Sequence, residues 1–269
     1  MAEGAVSSCR VALSVVVITL NEAPRLAACL RSVGFADEWL VIDSGSEDGT
    51  QALARSLGAR VIEQPWLGYG RQKQFGVARA QHDWVLCLDA DECVSAPLAA
   101  LIERALINPE AAGFACRRCN WFLGRPLRHG EGYPDWSLRL FDRRRGGWRD
   151  EPVHEGVTVA GPVRRLPGDL QHDSAESLHG YLAKQNRYTT LQAEHWLAAG
   201  RSASVARLVL SPLLRFIKFY CLRGGFRDGV PGLVHVVIGC ANSFFKYAKL
   251  RSLRSQVNSA RSASDKGGQ

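Results

Sequence analysis

Val41-Ile42-Asp43-Ser44-Gly45-Ser46-Glu47-Asp48-Gly49-Thr50 ends an apolar run with carboxylates and turn residues, and Leu86-Cys87-Leu88-Asp89-Ala90-Asp91-Glu92 does the same further on. Each apolar run reads as a buried strand, so both segments set carboxylates just past a strand's carboxyl end. In an open α/β sheet that edge is where ligands bind. Asp89-Ala90-Asp91 at such an edge suits a divalent cation shared with a diphosphate, because Mg²⁺ and Mn²⁺ take hard oxygen ligands and share them with substrate phosphates.

Working outward, strands are expected over Ser14–Thr19, Glu38–Asp43, Ala59–Glu63 and Asp83–Leu88. Helices are expected between them. The first is capped by Asn21 with Pro24 in its first turn and runs to about Val33; the second is capped by Asp48 and ended by Gly58. The third follows the Gly-rich loop Trp66–Gly70 and runs to about Ala80, and a fourth opens at Pro97 and runs to about Ile107. This alternation predicts a mostly parallel, doubly wound sheet. From about Gly113 the pattern changes to short strands, Phe114–Cys119, Ser137–Phe141, Val157–Val159 and Val163–Leu166, separated by loops rich in Gly, Pro, Arg and His. From Ser174 the chain reads as helical. The expected organisation is an α/β domain over 1–172 (halves about 12–110 and 111–172), a basic helical region over 173–251, and a disordered Ser/Arg/Gly-rich tail over 252–269.

Charge is unevenly placed. Residues 201–269 hold twelve Lys/Arg against two Asp, whereas the whole chain is only +8, so residues 1–200 are slightly acidic. The basic excess is interleaved with apolar runs in Val205–Leu222 and Val230–Leu250, which favours an anionic membrane surface over nucleic acid. The internal charges argue against a membrane span. Val11–Leu20 is too short to cross a bilayer and lacks signal-peptide flanks, so a cytoplasmic location is expected. The eight cysteines have no framework spacing, and Cys116-Arg-Arg-Cys119 lacks the second pair a zinc site needs, so they are expected to be plain reduced thiols.

Thr19-Leu20-Asn21-Glu22, the segment from Asp43 to Thr50, Leu88–Glu92, Tyr133-Pro134-Asp135-Trp136-Ser137-Leu138-Arg139-Leu140-Phe141 and Pro152-Val153-His154-Glu155 together resemble the family 2 glycosyltransferases. The combination is similar to the lipopolysaccharide-core subgroup, the β-1,4-glucosyltransferases that modify an inner-core heptose. The resemblance covers roughly residues 12–250 and implies a GT-A fold: a Rossmann-like, mostly parallel sheet flanked by helices, here with a C-terminal helical, membrane-associating extension. It departs from the common pattern at Ser44, where a second Asp is usual, and at Lys73-Gln74, where Lys-Asn is usual.

The resemblance implies an inverting, metal-dependent transfer of a hexose, glucose first, from a UDP-sugar to a lipid-anchored glycan at the inner face of the cytoplasmic membrane. Thr19, Asn21, Glu22, Asp43 and Asp48 then border the nucleotide, with Asp43 accepting a hydrogen bond from base or ribose. Lys73, with Arg71, suits a phosphate at a helix start. Asp89 and Asp91 face ribose and metal, Asp91 being the stronger Mg²⁺ or Mn²⁺ ligand, and His154 is a further metal or phosphate partner. An inverting transfer needs a general base. Glu155 is favoured, with Asp135, Glu151 and Asp150 as the other candidates. Arg139 is placed to meet phosphate or acceptor, and Trp121, Trp136 and Trp148 either stack on sugars or pack the core.

Two rival readings use the same residues. One keeps the fold but makes a different bond, as a nucleotidyltransferase or a sugar transferase to polyprenyl phosphate; the first of these wants a Gly-rich basic loop after strand one, and Asn21-Glu22-Ala23-Pro24 is not one. The other is a non-catalytic membrane or nucleic-acid adaptor, which predicts no metal-dependent UDP binding.

Overall fold

A computed structural model describes residues 10–149, 156–173 and 177–266. The chain divides into two compact units, residues 1–120 with 134–174, and residues 121–133 with 175–269. The cut expected near residue 172 therefore lies close to one boundary, but residues 121–133 leave the first unit and pack with the helices.

In the first unit, β1 (Leu13–Thr19), β2 (Glu38–Asp43), β3 (Arg60–Glu63) and β4 (Trp84–Asp89) lie parallel in the order β3-β2-β1-β4. They alternate with α1 (Ala23–Ser32), α2 (Thr50–Ser56) and α3 (Tyr69–Arg79). The strands are apolar on both faces because helices cover both. Leu13, Val15 and Val17 of β1 pack in one core with Leu26 and Leu30 of α1. Val16 and Ile18 point the other way, into a second core with Val77 of α3. That alternation is the period-two geometry of a strand. Gly76 lets α3 lie close: a Cβ there would sit 2.4 Å from Val16 Cγ1 and 2.9 Å from Ile42 Cγ1.

Beyond β4, antiparallel strands join the parallel ones and the sheet becomes mixed. A tight turn at Ala90-Asp91 leads to the short β5 (Glu92–Val94), then α4 (Ala96–Ala105) and β6 (Gly113–Phe122). β8 (Asp135–Asp142) pairs antiparallel with both β4 and β6, and β11 (Val163–His172) pairs parallel with β6 and antiparallel with β5. β9 (Gly146–Trp148) and β10 (Val157–Val159) form a separate hairpin ladder. This is a GT-A-like mixed sheet with flanking helices.

β11 does not stop at Leu166. Pro167-Gly168 reads as a strand end, but the register shifts between Leu166 and Asp169 and the strand continues to His172. Such a bulge absorbs a proline without ending the ladder. Gly168 is required there, since its Cβ would lie 2.6 Å from Leu98 Cα on α4.

In the second unit, Trp121 and Phe122 pair with β7 (Arg125–Pro126). Three helices follow, α5 (Leu178–Ala198), α6 (Val205–Phe216) and α7 (Gly229–Lys266). A π-helical turn, Ile217–Leu222, and a 3₁₀ turn, Gly225–Asp228, join α6 to α7. Ser211 and Ser243 hydroxyls lie 2.6 Å apart between α6 and α7, and Lys249 Nζ donates to Asn186 Oδ1 of α5 at 2.6 Å. His129 donates from its backbone to Asp228 Oδ2 at 2.8 Å, which ties the 121–133 segment to the helices. In the tail expected as disorder from residue 252, α7 continues through Lys266. Among the described residues no helix is long and apolar enough to cross a membrane.

Candidate active site

The parallel register brings the predicted carboxylates to one sheet edge. Thr19 pairs with Asp43, Asp43 with Glu63, and Ile18 with Asp89. All four strands point the same way, so their carboxyl ends converge there.

Asp43 organises this edge from within. It has no exposed surface, and its carboxylate accepts from the amides of Gly45 and Ser46, the hydroxyls of Thr19 and Ser46, and Gln51 Nε2 at 2.8 Å. Burial alone would raise its pKa, but the donors of Ser46, Thr19 and Gln51 outweigh that and hold it below the usual carboxylate range. Asp43 thereby shapes the turn that follows β2.

Asn21 does not cap α1 as expected. It takes a left-handed φ of 56°, and its Oδ1 accepts from the Glu47 amide at 2.9 Å. Asp48 serves two helix starts instead, accepting from the Ala23 amide at 3.1 Å and the Thr50 amide at 3.0 Å. Glu22 is the residue preceding α1; burial raises its pKa first of all, and Arg25 partly offsets this. The 43–50 turn and the start of α1 are thus one hydrogen-bonded rim.

Lys73 lies near the start of α3, as expected, with its side chain turned inward. It is 1% exposed, and its Nζ lies 2.9 Å from Asp89 Oδ1 and 4.6 Å from the centre of the Trp148 ring. Arg139, also buried, reaches Asp89 Oδ2 at 3.3 Å and Glu92 Oε1 at 2.7 Å. Buried cations need such partners, because an unpaired charge out of water is costly. Burial pushes Asp89 upward, yet Arg139 and Lys73 overcome it and hold the carboxyl well below its ordinary value. Glu92 has no exposed surface; it accepts from Arg118 Nε at 2.9 Å and from the Asp89 amide at 3.0 Å. Gln74 accepts from the Trp148 amide at 2.9 Å, so this departure from the common Lys-Asn pair holds β9 against α3.

Asp91 has different surroundings. Its Oδ2 lies 3.2 Å from His172 Nε2, and its Oδ1 is buried with no hydrogen-bond partner among the described residues. His172 Nδ1 lies 2.9 Å from Asn120 Oδ1, which only accepts, so Nδ1 donates there while Nε2 faces the Asp91 carboxylate. His172 is the residue the sequence reading leaves out. It arrives because β11 runs on past its bulge and pairs His172 with Glu92. Among the described residues no group of three or more His, Cys, Asp or Glu forms a ready-made metal cage. An orphaned carboxylate oxygen beside an imidazole nitrogen nevertheless fits a divalent cation of the kind bound by one or two protein ligands plus phosphates.

A cleft of about 390 Å³ opens beside Asp89 and is lined further by Arg118, Asp135, Trp136, Arg139 and Trp148. Asp135 is exposed at the start of β8. Asp150, Glu151, His154 and Glu155 lie outside the described residues. Cys116 and Cys119, separated by Arg117 and Arg118, are buried, and burial pushes Cys116 up to about 12.

A parallel β-α-β half that gathers carboxylates at its carboxyl edge, joined to a mixed half that opens a polar cleft beside them, defines a GT-A-type transferase. The family model for glycosyl transferase family 2 matches residues 14–166, and the chain belongs to that family. It is 31% identical over 246 residues to the lipopolysaccharide core biosynthesis glycosyltransferase LpsC of Rhizobium meliloti (strain 1021), covering 88% of this chain and 91% of that protein. An uncharacterized glycosyltransferase of Rickettsia bellii (strain RML369-C) is 30% identical over 269 residues, covering 94% and 90%. Among solved structures, glucosyl-3-phosphoglycerate synthase from Mycobacterium tuberculosis in complex with Mn²⁺, UDP and phosphoglyceric acid is 26% identical at a TM-score of 0.34, over 41% of this chain and 43% of that one. An overlap that small supports no argument about this chain.

Proposed function

We propose that the protein transfers a hexose, glucose in the first instance, from a UDP-sugar to a lipid-anchored glycan, with lipopolysaccharide inner-core heptose as the leading acceptor. The observation that carries this reading is the pair Asp91 and His172 at the carboxyl edge of a family 2 sheet, with a buried carboxylate oxygen left for a cation. Similarity to LpsC supports the acceptor class.

Asp91 and His172 would hold Mg²⁺ or Mn²⁺, with His154 as a further partner. The cation supplies Lewis-acid stabilisation of the leaving diphosphate. Asp89 stays ionised beside Lys73 and Arg139 and borders the donor side of the cleft. Thr19, Asn21, Glu22, Asp43 and Asp48 build the rim for the nucleoside. A carboxylate then takes the acceptor hydroxyl's proton as that oxygen attacks the anomeric carbon, which inverts it. Glu155, Glu151 and Asp135 are the candidates; Asp135, the one that lies among the described residues, lines the cleft. Basic and apolar C-terminal helices would bring the enzyme to the inner face of the cytoplasmic membrane, where such an acceptor resides.

Calorimetry of UDP binding, with and without Mn²⁺ or Mg²⁺, tests the donor site beside an Asp91→Ala variant. Metal-dependent binding lost in the variant is the expected result. Absence of UDP binding under every metal condition would sink the UDP-sugar reading.

A further inference from the structure

α6 and the turns after it expose an apolar face. Val205, Val209, Leu210, Leu213, Leu214 and Ile217 are each 41–62% exposed, and Leu222, Phe226 and Val230 reach 79%, 55% and 70%. The α6 positions recur at i, i+4, i+5, i+8, i+9 and i+12, which is one side of a helix. The opposite side is anchored: Arg215 donates to both Glu131 oxygens, and Ser211 meets Ser243 on α7. No residue of α6 is buried, whereas α7 buries Val236, Ile238 and Leu250.

The charge on this face has one sign. Arg207, Lys218, Arg223 and Arg227 are exposed on α6 and the turns that follow it. Between Arg201 and Arg261 the chain contains one acidic residue, Asp228, and that carboxylate is buried against His129 at 2.6 Å. Monomeric proteins rarely leave so continuous an aliphatic surface open to water. An anionic lipid surface complements such a face, its headgroups meeting lysine and arginine while apolar side chains enter beneath them.

We infer that the outer face of α6, extended through Leu222 and Phe226, docks in the interface of an anionic lipid bilayer, lying in it rather than crossing it. This deepens the proposed function by placing the enzyme beside a lipid-anchored acceptor. Docking needs no nucleotide, so its failure is separable from failure of UDP binding.

The test is co-sedimentation of the full chain with phosphatidylcholine vesicles, with and without about one third phosphatidylglycerol. We expect binding to the anionic vesicles, at least tenfold weaker partitioning for L210E/L214E, and loss of the anionic preference for R207Q/K218Q. Circular dichroism and UDP binding of the variants report whether they fold. Absence of vesicle binding by the wild type, equal binding by a folded L210E/L214E variant, or a wild-type dimer that this variant converts to monomer without any lipid binding would each overturn the inference.

Discussion

Lys73 Nζ lies 2.9 Å from Asp89 Oδ1, and the lysine that makes this contact is 1% exposed. A buried cation placed this way compensates the Asp89 carboxylate. Lys73→Met removes it and leaves Arg139 as the nearer remaining partner. We expect a stability loss near the lower end of the roughly 3–5 kcal/mol typical of a broken buried pair. Adding Asp89→Asn to that variant restores part of the loss, because the uncompensated charge is gone. Urea denaturation of the two single variants and the double variant reads the coupling.

His172 offers a sharper test of the cation. If Nε2 is a ligand together with Asp91, His172→Ala raises the Mn²⁺ concentration needed for half-maximal UDP binding by at least about tenfold. Asn120→Ala, which frees the ring's other nitrogen, shifts it in the same direction by less. An unchanged Mn²⁺ requirement in His172→Ala would remove the histidine from the site.

Asp43 gives a pH signature. Its folded pKa is depressed, so its contribution to stability is full above the unfolded value of about 3.9 and is lost as pH falls through the folded value. The stability gap between wild type and Asp43→Asn should hold level from neutrality to about pH 4 and narrow below it. A gap that closes between pH 5 and 7 would contradict the assignment.

Gly76→Ala tests the packing of α3 on the sheet. The added methyl meets Val16 and Ile42 side chains inside normal contact distance. Overpacking of this kind costs about 1–3 kcal/mol, and the better helix propensity of alanine offsets part of it. Thermal unfolding should show a lower midpoint; an increase would mean that α3 shifts freely.

Much of the parallel half is legible in the chain. β2 is expected and found over Glu38–Asp43, and β1, β3 and β4 match within a residue or two. β1, β2 and β4 are largely apolar runs closed by Asn or Asp, and β3 is bounded by Gly58 and Pro65, so local composition and pattern agree with the fold. The short β5, β7 and β9 are not legible, because two or three residues carry no periodicity and exist only through their partners. The Asn21 cap fails for a related reason: the side chain finds the Glu47 amide, a partner remote in sequence.

By itself, the sequence determined that Asp43, Asp89 and Asp91 follow strands and meet at one sheet edge, since hydrophobic runs and turn residues act locally. Only the tertiary structure decided what each carboxylate faces. Whether a lysine on α3 turns inward to Asp89, and whether a strand survives Pro167-Gly168 to bring His172 to Asp91, depends on register and on the room left by neighbouring elements. Those are properties of the packed sheet, not of any window of the chain.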